Sequence, residues 1–171
     1  MNTILNDIPH ETLSVPARSI LLEAGRRSRY LYVVQKGVLR MWCSQDGNDI
    51  TLQFFMEGTM VCSMESFFHD RPSEFCIESI ESSEVIRIKK ADVLAYLDSH
   101  PEAKEQLLTF MMDRAISYTH LFLSRIKDKP EKRYRQLIEE HPEIIRRIPQ
   151  HYIASYLGIT PVSLSRIRAR L

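Results

Sequence analysis

Apolar and polar residues alternate over roughly the first hundred positions, and the period then lengthens to that of a helix. In "DGNDITLQFF", Ile50, Leu52 and Phe54 alternate with Thr51 and Gln53, which predicts a half-buried strand. Asp46-Gly47 before it is a hairpin turn signal. Upstream, "RYLYVVQKGVLRMW" reads as two short strands about Lys36-Gly37. Downstream, "FCIESI" and "SEVIRI" read as two more. Short strands between Gly or Asp turns predict a sandwich or barrel.

From "DSHPEAKEQLL" onward the pattern is helical. Ser99 stands three residues before Glu102, and Pro101 lies near the first helical position, a capping signature. A long helix to about Ile126 follows. Leu108, Met111, Ala115, Tyr118 and Phe122 form one apolar stripe, and Met112, Ile116, Leu123 and Ile126 a second. Two stripes imply two surfaces to bury, one for the β domain and one for a second copy of the helix. A single wide stripe facing the core of a monomer fits the same spacing. Asp128-Lys-Pro-Glu131 then starts a helix through about Glu140 with Tyr134, Leu137 and Ile138 inward. A short turn about Pro142, a break at Pro149 and two short helices complete the chain.

Counting from Gln150 as position one, Ala154 is fifth, Gly158 ninth, Leu164 fifteenth and Ile167 eighteenth. A helix-turn-helix needs a small fifth residue where its helices meet and a glycine in the turn, where φ is positive. Ile153, Leu157, Leu164 and Ile167 lock the pair. Thr160 caps the second helix and Pro161 opens it. On a helical wheel Leu164, Ile167 and Leu171 point inward, while Val162, Ser165, Arg166 and Ala169 point outward. That outer face is small enough to enter a major groove. Arg166 suits a guanine and Val162 a thymine methyl. Arg168, Arg170 and the amides near Thr160, including Ser163, suit phosphate.

Charge distribution agrees with this reading. Residues 1–124 hold 12 Lys+Arg against 17 Asp+Glu, a net of −5; residues 125–171 hold 11 against 5, a net of +6. A basic terminus on an acidic body points to a polyanion, the alternative being a solvated charged face. Cys43, Cys62 and Cys76 are three in number with no C-x-x-C spacing, which argues against a disulfide framework or zinc finger. The first dozen residues lack the pattern of a secretory signal, and no apolar run approaches the ~20 residues of a membrane span. A cytoplasmic protein is expected.

"IASYLGITPVSLSRIRARL" resembles the helix-turn-helix of the Crp/Fnr transcription regulators, and "LLEAGRRSRYLYVVQKGVLRMW" and "FFMEGTMV" resemble their cyclic-nucleotide-binding-like domain. The resemblance implies an α+β chain: an N-terminal antiparallel β jelly-roll sensor domain over 1–100, a long dimerisation helix over 101–127, and a helix-turn-helix DNA-binding domain over 128–171. It implies a homodimer on a roughly two-fold site in double-stranded DNA, with RNA polymerase as a further partner. An effector in the β domain would act by altering the packing of the long helix.

Three features depart from the family's pattern. Its nucleotide sensors carry a Gly-Glu pair and, about ten residues later, an Arg followed by Ser or Thr. Here Met64 precedes Glu65, and Ser73 and Glu74 stand where Arg and Ser would be. A carboxylate about 5 Å from a phosphate costs roughly 3 kcal/mol at an effective dielectric of ~20, which argues against a standard cyclic nucleotide. Arg71, two residues earlier, is a substitute. The expected effector pocket thus comprises Gly58, Met64, Glu65, Ser66, Arg71, Ser73 and Glu74, with its small-molecule effector unnamed. Second, Val162 stands where many members have a base-reading glutamate, so the half-site should change or relax. Third, the chain stops where many relatives continue into wing strands; a short basic arm serving instead and a trimmed chain both remain open. No metal site is expected from the six separated histidines, and no catalytic fingerprint marks an enzyme. The competing reading is a small-molecule-binding or cyclic-nucleotide-binding module whose C-terminal helical domain contacts protein.

Overall fold

The computed structural model describes residues 7–171, so the expectation for the N-terminal dozen falls partly outside the described residues. Two compact units emerge, Met1–Ala103 and Lys104–Leu171.

Among the described residues the first unit holds eight strands: β1 (Glu11–Val15), β2 (Ile20–Leu22), β3 (Tyr30–Lys36), β4 (Leu39–Gln45), β5 (Asn48–Phe55), β6 (Met60–Val61), β7 (Cys76–Ser79) and β8 (Ser83–Lys89). Helix α1 (Met64–His69) lies between β6 and β7, and α2 (Lys90–Ser99) follows β8. Two four-stranded sheets form, in the orders β1-β8-β3-β6 and β2-β7-β4-β5, with antiparallel neighbours throughout. This is the expected antiparallel jelly-roll. Val34, Leu39, Ile77 and Val85 belong to the core these sheets share. Val33 and Ile86, one position along β3 and β8, join a second cluster with Phe67 of α1 and Val93 of α2. Side chains alternate across a strand, so one sheet feeds two cores.

Asp46 and Gly47 make the predicted hairpin turn, with φ of 53° and 77° between the paired residues Gln45 and Asn48. Two central residues of positive φ match the right-handed twist of the strands.

The simple alternation in β5 does not hold. Met41 pairs with Gln53 but Trp42 pairs with Thr51, so Leu52 is an extra residue in a bulge. The bulge places Thr51 on the same side of the sheet as Phe54, and Thr51 is fully buried. That side also carries Arg40, 1% exposed, opposite Glu78 on β7. Arg40 Nε donates to Glu78 Oε1, Nη2 to Asp49 Oδ2 at 2.7 Å and Nη1 to Thr51 Oγ1 at 3.3 Å. Its guanidinium sits 4.9 Å from the Trp42 ring centroid.

The second unit is helical. It takes most of α3 (Pro101–Lys127), then α4 (Pro130–Glu140), α5 (Pro142–Arg147), α6 (Gln150–Leu157) and α7 (Pro161–Arg168). Tyr134, Leu137, Ile144, Ile153, Ala154, Leu157 and Leu164 are buried. Proline opens α4, α5 and α7, where its missing N–H costs nothing.

Some local expectations are corrected. Ser99 does not cap the long helix: it ends α2, and its hydroxyl bonds back to the carbonyls of Ala95 and Tyr96. The helix expected to start at Asp128-Lys-Pro-Glu131 is present as α4, with Lys129 at its N-cap; Asp128 binds Lys132 Nζ at 2.7 Å and accepts from Ser124 Oγ at 3.1 Å, and the Lys132 contact holds its carboxyl below the usual range. The stretch after Pro142 is a helix, not a turn.

The buried ion pair yields a test. Removing one partner of such a pair costs about 3–5 kcal/mol, whereas replacing both by apolar residues is often near neutral. Glu78→Ala should therefore lower the urea-unfolding free energy by about that amount, and Arg40→Met/Glu78→Leu should recover most of it. A loss below ~1 kcal/mol for Glu78→Ala would show that Arg40 does not depend on Glu78.

Candidate nucleic-acid interface

Helices α6 and α7 pack on each other through Ile153, Ala154, Leu157 and Leu164, all at or below 4% exposure. Ala154 is fully buried, as close approach of two helices requires. Gly158 follows α6 with φ 68° and ψ 35°. Gly158 N donates to Ser155 O and Ile159 N to Ala154 O, each at 3.0 Å, closing the helix by a left-handed turn. Thr160 Oγ1 accepts from Ser163 N at 3.1 Å and caps α7, and Pro161 opens it.

Two arginines hold the end of α6. Arg133 Nη2 donates to Leu157 O at 2.6 Å, while Nη1 donates to Arg125 O at 3.2 Å and Asp128 O at 3.0 Å. Arg125 Nη2 donates to Tyr156 O at 3.0 Å. Burial pushes the Tyr156 phenol above its ordinary pKa. The sequence pattern marked neither arginine, because their partners are backbone carbonyls from separate elements.

Outward on α7 stand Pro161, Val162, Ser165 and Arg166, with Arg168, Ala169 and Arg170 beside them, all exposed. Arg166, Arg168 and Arg170 have no carboxylate partner among the described residues. Ser163 is half-buried and already bonded to Thr160, so less of it faces outward. Leu171 is not inward: α7 ends at Arg168, the helical wheel stops there, and Leu171 is 52% exposed.

On α3, exposure sorts the apolar residues differently from the two expected stripes. Leu108, Met112, Ala115, Thr119, Phe122 and Ile126, spaced alternately by four and three, are exposed. Ile116 and Leu123 widen this band on one side and Tyr118 on the other. Met111, grouped with Leu108 by spacing, is half-buried, as are Leu107, Phe110 and Leu121.

Four of the expected effector residues, Glu65, Ser66, Arg71 and Ser73, are engaged with one another or with the loop of residues 25–28. Glu65 and Arg71 form an exposed ion pair at 2.7 Å. Met64 accepts from Cys62 Sγ at 3.4 Å, and burial pushes that thiol up to about 12. Gly58 N donates to Val34 O at 2.8 Å. Ser66 Oγ accepts from Ser28 N at 2.8 Å. Ser73 N donates to Arg26 O and Ser73 O accepts from Gly25 N. Glu74 is exposed.

A cyclic nucleotide-binding domain model matches residues 12–100, more than half of the chain. The chain belongs to the cyclic nucleotide-binding domain family. No curated protein matches it by sequence. Among solved structures, FixK2 from Bradyrhizobium japonicum is similar with a TM-score of 0.80 at 15% identity, over 96% of this chain and 85% of that one. A putative Crp/Fnr-family transcriptional regulator from Eubacterium rectale gives 0.77 at 18%, over 98% and 80%. The c-di-GMP-responsive global regulator CLP of Xanthomonas campestris gives 0.74 at 17%, over 99% and 88%. These likenesses establish the Crp/Fnr fold for nearly the whole chain. Within this cyclic nucleotide-binding domain, Glu65 pairs with Arg71 and Ser73 is 3% exposed and tied into the loop of Gly25 and Arg26.

The turn between α6 and α7 is open to a direct check. A Cβ on Gly158 meets nothing within 4 Å, so only its positive φ opposes substitution. Gly158→Ala should cost about 1–2 kcal/mol in chemical unfolding, and Gly158→Asn distinctly less, since Asn tolerates this conformation. Equal losses would mean the turn is constrained by something other than φ.

Proposed function

We propose that the chain is a DNA-binding transcription regulator that acts as a homodimer. The observation that carries this reading is the outer face of α7: small side chains at Val162 and Ser165 beside Arg166, Arg168 and Arg170, three guanidiniums without carboxylate partners. A duplex supplies both a groove that such a face enters and phosphates that replace the missing partners. Arg166 takes a base edge; Arg168 and Arg170 take phosphate. Val162 offers an apolar contact at its base step.

The exposed band of α3 supports the dimer. Its 4-3 spacing over six positions is that of a coiled-coil seam, and a second copy of the helix covers it. Arg133 connects the end of this helix to α6, so a change in how two α3 helices pack carries to α7. Effector control by such a shift is part of the reading, the effector being a small molecule other than a standard cyclic nucleotide. A distance measurement between labels at Ser165 of the two protomers, with and without DNA, checks the coupling; an unchanged distribution counts against it.

Binding to a duplex should weaken with salt at a log-log slope of about −0.9 per phosphate contacted. Arg166→Ala should cost about 1–3 kcal/mol and relax one base position, whereas Arg170→Ala should weaken all sequences alike and reduce the slope by about 1. Absence of binding to any duplex at low salt would assign the face to a protein partner. For the dimer, Leu108→Glu/Phe122→Glu should sediment as a monomer and the parent as a dimer at micromolar concentration. A monomeric parent would remove the seam.

A further inference from the structure

The β unit contains a second polar site, whose lining includes none of the expected effector residues. A cavity of about 340 Å³ opens between β2, the loop 23–29, the start of β3 and Arg87 of β8. Its wall is apolar and aromatic, from Ile20, Leu21, Leu22, Tyr30 and Tyr32. Its polar side is made by Arg26, Arg27, Arg29 and Arg87, with Ser28 and the single carboxylate Glu23. The volume lies at the small end of the range for small-molecule sites, and the lining is more cationic than such sites usually are.

The charges do not cancel. Glu23 lies 3.7 Å from Arg26, and Glu11 binds Arg87 and so remains well below the usual carboxylate range. Neither Arg27 nor Arg29 forms an ion pair among the described residues, although Arg27 lies near enough to Asp70, itself paired with Lys90, to help hold that carboxyl below its usual range. Arg87 lies 4.5 Å from the Tyr30 ring centroid, and its Nε is buried without a hydrogen-bond partner. Tyr32 donates its hydroxyl to Leu21 O at 3.1 Å, and burial pushes its phenol up to about 12, so it adds no negative charge.

The arginine loop is held in place before any ligand arrives. Gly25 N donates to Ser73 O at 2.7 Å, Ser73 N to Arg26 O at 2.8 Å, Ser28 N to Ser66 Oγ at 2.8 Å and Lys90 N to Arg29 O at 2.9 Å. Ser66 and Ser73, expected as effector ligands, serve as anchors for the loop that carries the arginines. An ordered loop loses little further entropy on binding.

We propose that this cavity binds a phosphomonoester of an aromatic or heterocyclic compound, its ring against the Leu21–Tyr30 wall and its phosphate between Arg27 and Arg29. Two guanidiniums outside any ion pair match the charge of about −1.5 to −2 that a phosphomonoester carries at pH 7. Guanidinium groups also match phosphate oxygens geometrically. This site is independent of the DNA reading.

Calorimetric titration of the full chain with 1-naphthyl phosphate, 1-naphthoate and inorganic phosphate tests it. The expected result is one site per chain, with 1-naphthyl phosphate at least tenfold tighter than either other compound. Arg27→Gln/Arg29→Gln should weaken it tenfold or more while leaving thermal unfolding unchanged, because both side chains are exposed. Arg71→Gln and Arg166→Ala should leave it unaltered. No binding, equal binding of 1-naphthoate, retention in the double variant, or loss in Arg71→Gln or Arg166→Ala would each overturn the proposal.

Discussion

A helix C-terminus leaves carbonyl oxygens without intrahelical donors, and the helical unit depends on one side chain that collects such oxygens from different elements. Arg133 donates to Arg125 O near the end of α3, to Asp128 O in the turn after it, and to Leu157 O at the end of α6. A guanidinium can do this because its donors are fixed in a planar fork. Lysine at this position would offer a point charge without that geometry. Gly158 turns the chain immediately after Leu157, and Thr160 caps α7 two residues later, so the course of α7 follows from where α6 is held.

The arginines of this chain fall into groups by what they meet. Arg40 is buried and donates to two carboxylates and a hydroxyl; Arg133 is half-buried and its two terminal nitrogens donate to carbonyls. Removing the carboxylates of Arg40 leaves a charge out of water with nothing to balance it. Arg166, Arg168 and Arg170 stand in solvent outside any ion pair among the described residues, as do Arg27 and Arg29 in the β unit. A net charge of +1 for the chain conceals both sets. Where each guanidinium goes, rather than how many there are, separates those committed to protein atoms from those left facing solvent.

Legibility in the sequence followed the distance over which each feature is decided. Asp46-Gly47, Gly158 and Thr160-Pro161 were readable because turn and cap geometry depends on a few adjacent residues. Ala154 was readable because helix spacing places it beside α7. The burial of Thr51 was hidden, because it follows from a bulge opposite Met41 and Trp42 and from Arg40 beside it. Ser99 carried good capping chemistry, but bonds to Ala95 and Tyr96 were nearer. Glu65, Ser66, Arg71 and Ser73 looked like ligands from their order along the chain; their nearest polar neighbours in space are each other and the loop of residues 25–28.

By itself, then, the sequence determined the elements that local chemistry and periodicity specify: the strand-rich first hundred residues, the long helix, the helix-turn-helix and the cationic face of its second helix. Tertiary structure alone decided which polar groups meet. It paired Arg40 with Glu78, Arg133 with Leu157 O, and Glu65 with Arg71, and it gathered Arg27, Arg29 and Arg87 around one cavity. The physical reason is range. A turn or cap is settled by dihedral preferences within a few residues, whereas a charge or hydrogen-bonding group is settled by whatever the fold brings within about 3 Å of it.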